Sequence, residues 1–261
     1  MKNNQNNKII ELAEFIALEH DSIVTPLETI ALEEDLQIIY DSYEDAFDGL
    51  SVFDSKYFIH LNTDRGNTIN SKRGRFTLAH ELGHYFITSH RTALYKGKLP
   101  HPSLILTQVN NTMEREADLF ASTLLMPTVR FKEVCQNKIF DYSIIKELSN
   151  TFNVSITATA IRFTQIGNHP ICIIYSHNNK PIWYYYSSDF RFKKLLHNKS
   201  KIPINTLAGD FYNKGIRNLE EIELEAEDWF LCFNQNDRKT TIIEKSIFSP
   251  NNSALSIIWQ E

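Results

Sequence analysis

The sequence predicts an α+β protein. Helical periodicity dominates the stretches around residues 73–90 and 111–164, and runs rich in Ile, Tyr, Phe and Val mark strands before the first stretch and after Gly167. The third observation is composition. The chain has 261 residues, 42% of them hydrophobic and 23% charged, which is enough for a real core without disulfide or metal staples. A formal charge of -5 leaves no global basic field to draw in nucleic acid. Cys135, Cys172 and Cys232 are far apart and form no C-x-x-C, which fits free thiols in a reducing cytosol. No apolar run approaches a membrane span and the Asn-rich start is not a secretory signal, so the expected location is cytoplasmic.

In chain order, Ile9 to Glu19 carries apolar residues at helical spacing. A short helix is expected near Pro26, with Thr25 as its cap and Pro26 at the first helical position. Leu36 to Tyr40 and Leu50 to Asn62 read as strands separated by the Asp48-Gly49 turn. Thr63 to Ser71 is a polar connector. His90 to Asn111 is irregular and suits the border of a cleft. A strong helix follows from about Asn111 to Met126, where Pro127 ends it, and a shorter one covers Val129 to Asn137. Tyr142 to Asn150 and Ser155 to Thr164 are two more helices, joined at Phe152-Asn153. Beyond Gly167, strands are expected at Ile171 to Tyr175, Ile182 to Ser187, Trp229 to Asn234, Thr240 to Glu244 and Leu255 to Trp259. The domain reading is therefore 1–167, including the helical segment 142–164, followed by a mostly antiparallel β unit over 168–261.

The chemistry centres on His80-Glu81-Leu82-Gly83-His84. On a helix, His80 and His84 lie one turn apart on one face and can aim their ring nitrogens at one metal ion. Glu81 lies about 100° further round, beside that ion and free to act as a base. This is the H-E-x-x-H logic of a zinc hydrolase: zinc lowers the pKa of a bound water to about 7, and Glu81 takes its proton. A five-residue pattern with three fixed positions is weak evidence alone. The apolar flank of Phe76, Leu78, Ala79, Leu82, Phe86 and Ile87 indicates that the pair enters a core, where its nitrogens need partners.

Catalytic zinc needs a third protein ligand. His90 has metzincin-like spacing, but Ile87 stands where that pattern has Gly, so the helix is expected to continue and carry His90 away. In the following helix, Glu114 and Asp118 share an inward face, whereas Glu116 falls on the other side and should be solvated. Glu114 is the expected ligand. Asp118, one turn later, is placed to accept the outer N–H of a ligating histidine. His60, His101 and Tyr85 are all candidates for stabilising an oxyanion, with nothing to choose among them.

Arg75 to Tyr85, followed by Glu114 to Pro127 with its Phe120-Ala121 and Leu124-Leu125-Met126-Pro127, resembles the ImmA/IrrE family of metallopeptidases. The resemblance covers roughly Ile9 to Phe163. It implies a minimal zincin-like (thermolysin-like) core in which His80, His84 and Glu114 bind Zn2+ and Glu81 is catalytic. It also implies a cytosolic endopeptidase that cuts helix-turn-helix repressors controlling mobile-element or stress-response genes. A non-enzymatic zinc-containing regulator that binds a repressor or DNA is the alternative; an intact Glu81 favours the enzyme.

The segment 144–163 has helix-turn-helix length, and Thr157, Thr159 and Arg162 would be its reading face. Few basic and amide side chains accompany them, so packing is favoured over DNA contact. The basic run Arg191, Lys193, Lys194, His197, Lys199 and Lys201 and the acidic run Glu220 to Asp228 read as solvated faces or as docking charges.

Overall fold

A computed structural model describes residues 2–44, 48–96, 112–196 and 200–260. Its elements are α1 (Lys2–Leu18), α2 (Leu27–Glu33), β1 (Gln37–Asp41), β2 (Gly49–Phe53), β3 (Lys56–Asn62), α3 (Lys72–Phe86), α4 (Thr88–Tyr95), α5 (Thr112–Leu125), α6 (Thr128–Cys135), α7 (Tyr142–Thr151), α8 (Ile156–Ile166), β4 (Ile171–His177), β5 (Lys180–Tyr186), α9 (Leu207–Lys214), β6 (Ile222–Glu225), α10 (Ala226–Trp229), α11 (Gln235–Arg238), β7 (Thr241–Ser249) and β8 (Ser253–Trp259). Helix and strand are mixed as an α+β protein requires. The chain divides into two compact units, Met1–Phe131 with Leu148–Ser155, and Lys132–Glu147 with Ile156–Glu261.

In the first unit, a three-stranded sheet has the order β1-β3-β2, with β1 parallel and β2 antiparallel to β3. The stretch expected as one strand run over Leu50 to Asn62 folds back at Asp54 and Ser55, both in the left-handed region (φ 48° and 62°). Asp and Ser there give a two-residue hairpin turn. α3 packs on this sheet and against α5, and α5 also packs on α1. Ser71 starts α3 by accepting the Gly74 N–H at 2.9 Å, so the helix begins at a defined residue.

Gly83 fixes how closely α3 and α5 approach. A Cβ there would lie 3.1 Å from the Phe120 ring and 3.3 Å from the Ala117 Cα. Leu78, Ala79 and Leu82 on one helix and Ala117, Phe120, Ala121 and Leu124 on the other are fully buried. Small residues at the crossing let the backbones come near, and the larger ones fill the space beside it.

Thr25 does not cap α2. The helix begins at Leu27 with Pro26 as an uncapped boundary residue. The Thr25 hydroxyl instead donates to the Leu124 carbonyl at 2.7 Å near the end of α5, and the Thr25 carbonyl accepts from Arg75 at 2.9 Å. Tertiary demand for a buried donor outweighs the local cap.

In the second unit, an antiparallel sheet has the order β5-β4-β8-β7-β6. β8 lies inside it and every residue of the strand is buried. β4 and β5 meet through Asn178 and Asn179 (φ 48° and 62°), the two-residue turn whose twist matches the strands. The core contains Phe190, Phe192, Phe211, Trp229, Phe230, Ile242 and Ile258.

Trp229 to Asn234 is not a strand. A capping box between Glu225 and Asp228 starts the turn α10, and Phe230 makes only an isolated bridge to Leu195. Buried Glu244 explains why Trp229 is drawn inward: its carboxylate accepts the indole N–H at 3.0 Å, the Leu207 N–H at 3.0 Å and the Ser246 hydroxyl at 2.7 Å. β6 lies in the acidic run read from sequence as a solvated face, and its exposed glutamates alternate with half-buried Ile222 and Leu224.

Candidate metal centre

α3 carries His80 and His84 one turn apart, and α5 presents Glu114 to them. His80 Nε2 lies 3.1 Å from His84 Nε2 and 3.2 Å from Glu114 Oε2, and His84 Nε2 lies 3.5 Å from Glu114 Oε1. These residues form a group whose ligand atoms all lie within 4.8 Å of one another. Ligands about 2.0–2.1 Å from a tetrahedral zinc are separated by about 3.3 Å along each edge. The observed spacings bracket that edge, so the donor set fits a tetrahedral cation with three protein ligands. Nitrogen and carboxylate oxygen are the donor chemistry such an ion takes.

The outer nitrogens are also engaged. His80 Nδ1 is 2.9 Å from Asp118 Oδ1, as the helical register of Glu114 and Asp118 implied. His84 Nδ1 is 3.2 Å from His90 Nδ1, and His90 Nε2 is 2.8 Å from Glu116 Oε2. His90 is 0% exposed and the Glu116 side chain only 13%. Two expectations are corrected here. The helix does not run through Ile87: this residue is extended (φ −73°, ψ 106°) and α4 starts at Thr88. Nor is Glu116 solvated. A ψ change at Ile87 needs no positive φ, so no Gly is required, and burying Ile87 favours the bend. His90 therefore returns to α3, behind His84, without joining the His80–His84–Glu114 group.

Glu81 is buried on α3, which packs against β2, and the Leu50 backbone of that strand lies close enough to act on its charge. Burial raises its pKa to about 7, with His80 and the Leu50 backbone opposing the rise and the Glu114 and Asp48 charges adding to it. Burial would lower the His80 pKa, but the Asp118 and Glu114 carboxylates outweigh it and the net shift is upward. Burial and the neighbouring His80 push His84 down. Such a concentration of carboxylates around two imidazoles favours a cation.

Of the other candidates, Tyr85 donates its hydroxyl to Glu34 at 3.0 Å, and His60 is held between Tyr43 at 3.0 Å and Ser51 at 2.9 Å. His101, His197, Lys199, Asn111 and most of the irregular connector lie outside the described residues. Its first residues, 90–95, are not irregular but helical, as part of α4 (Thr88–Tyr95). Thr159 and Arg162 of α8 are buried, which removes them from any base-reading face. Lys193 is occupied by the Ser187 and Ser188 carbonyls at 3.1 and 2.8 Å, and Arg191 pairs with Asp237. No described helix is long and apolar enough to cross a membrane.

A helix pair supplying two histidines and a glutamate, with a buried glutamate beside them, defines a metallopeptidase-like centre. The family model for the IrrE N-terminal-like domain, Peptidase_M78, matches residues 32–164, and the chain belongs to this ImmA/IrrE family of metallopeptidases. Metallopeptidase ImmA of Bacillus subtilis (strain 168) is 32% identical over 123 residues, which are 47% of this chain and 63% of that protein. The match thus spans less than two thirds of the relative's length. A solved structure described as a Mycobacterium tuberculosis transcriptional regulator superposes with a TM-score of 0.61 at 12% identity, covering 98% of this chain and 78% of that one. At such low identity the likeness concerns the fold.

Proposed function

We infer that this chain is a zinc-dependent cytosolic endopeptidase that cleaves a helix-turn-helix type transcriptional repressor, with a minimal thermolysin-like core. The observation that carries the reading is the His80–His84–Glu114 group at tetrahedral spacing with Glu81 buried next to His80. Zinc held by those residues would supply Lewis acidity toward a carbonyl and a water acidic enough to lose its proton near neutrality. Glu81, buried beside that group, would accept a proton at its carboxylate and return it to a leaving amine. Asp118 holds the His80 ring through Nδ1. β2 pairs only with β3 among the described residues, and it packs against α3, which carries Glu81. The outer edge of β2 therefore suits an extended substrate segment, paired strand to strand beside the base. Three free, buried cysteines suit a reducing compartment.

The test is incubation of the zinc-loaded protein with the repressor encoded by a neighbouring gene, with and without a chelator. Chelator-sensitive cleavage at one extended segment is expected. Displacement of the repressor from DNA without cleavage would replace this reading with that of a non-enzymatic regulator.

A further inference from the structure

We propose that His90 and Glu116 form a positioning pair that fixes the tautomer and ring orientation of His84 for metal binding; this rests on the reading of His84 as a ligand through Nε2. The geometry leaves one proton arrangement. Nε2 of His84 faces His80 and Glu114, so as a ligand it carries no proton. The neutral ring must then carry its proton on Nδ1, which stands 3.2 Å from His90 Nδ1. Two Nδ1–H groups cannot share that contact, so His90 Nδ1 is the acceptor. His90 consequently bears its proton on Nε2 and donates it to Glu116 Oε2 at 2.8 Å. The chain of bonds runs carboxylate, imidazole, imidazole, and every proton position is set by the one before it.

The surroundings support a built arrangement. His90 has no exposure, and its rotation would leave both ring nitrogens buried without partners. The bend at Ile87 is what brings it there, so a break in α3 serves the ligand one turn before it. Each metal-facing histidine is thereby held from behind by α5: His80 directly by Asp118, and His84 through His90 by Glu116. Partners of this kind, when lost, typically weaken metal binding by about 10–100-fold.

The experiment uses the full chain, measuring zinc affinity by chelator competition and the visible spectrum of the cobalt(II)-loaded protein. His90→Phe keeps the volume but offers no acceptor. His90→Gln can accept from His84 through its carbonyl and donate to Glu116 through its amide. His90→Phe is expected to weaken zinc binding by about 10–100-fold and to alter the cobalt spectrum. His90→Gln should recover most of both. A folded His90→Phe with wild-type affinity and spectrum, or a His90→Gln no better than His90→Phe, overturns the assignment. If His90→Phe fails to fold, the tautomers in the zinc-loaded wild type decide, read by long-range 1H–15N NMR. His84 Nδ1–H with His90 Nε2–H supports the pair, and any other combination overturns it. Zinc binding that depends on His90 in a protein that cuts nothing would sink the peptidase reading and leave this one standing. Cleavage with full zinc affinity in His90→Phe would do the opposite.

Discussion

His80 Nδ1 and Asp118 Oδ1 stand 2.9 Å apart, although the Asp118 side chain is 57% exposed. A water-facing carboxylate usually contributes little. Here it also dictates which nitrogen of His80 faces Glu114, so its loss should register in metal binding. Asp118→Ala is expected to lower zinc affinity by about 10–100-fold, as seen by chelator competition, with little change in thermal stability of the apo protein. Unchanged affinity would mean that Glu114 alone orients the ring.

Glu114 and Glu116 differ in kind. Glu114→Ala removes a member of the metal group and should abolish stoichiometric zinc in metal analysis. Glu116→Ala should keep about one zinc per chain at weaker affinity, because that residue acts only through His90. Loss of metal in Glu116→Ala with retention in Glu114→Ala would contradict the ligand assignment.

Glu81→Gln keeps the shape of the side chain but removes the base. Zinc content and fold should be retained while peptide hydrolysis falls by about 10²–10⁴-fold. Wild-type hydrolysis in this variant would exclude Glu81 as the proton acceptor.

Glu244 gives a pH signature in the second unit. Burial raises its pKa, and the bonds from Trp229, Ser246, Leu207 and Ser256 only partly offset that. A carboxyl that holds its proton more tightly when folded stabilises most below its unfolded pKa of about 4.3. That stability is lost as pH rises through the higher folded value. The difference in denaturant stability between wild type and Glu244→Gln should therefore shift against wild type as pH climbs from about 4.3, then level off. Parallel pH profiles would show that the buried carboxyl titrates normally.

The centre was legible where chemistry follows helical register. His80 with His84, and Glu114 with Asp118, are both four apart, and that spacing survives any packing. His90 and Glu116 were not legible because their meeting depends on one ψ angle at Ile87 and on where α5 docks, and neither is encoded in periodicity. The same limit applies elsewhere. Trp229 and Phe230 have strand-like composition, yet a local capping box and the distant Glu244 decide their geometry. Thr25 has the right chemistry for a cap, but the Leu124 carbonyl near the end of α5, far along the chain, claimed it. Parallel pairing of β1 with β3 also lies beyond local pattern, since β2 intervenes in sequence.

The contact of Gly83 with Phe120 and Ala117 makes the metal group a gauge of one helix–helix distance. Its donors come from α3 and α5, not from loops, so they separate only when those two helices separate. A tetrahedral edge tolerates only a few tenths of an ångström before affinity suffers. Anything that wedges the helices apart, whether a bulkier side chain at position 83 or a force applied to α5, would disarm the centre without touching a single ligand.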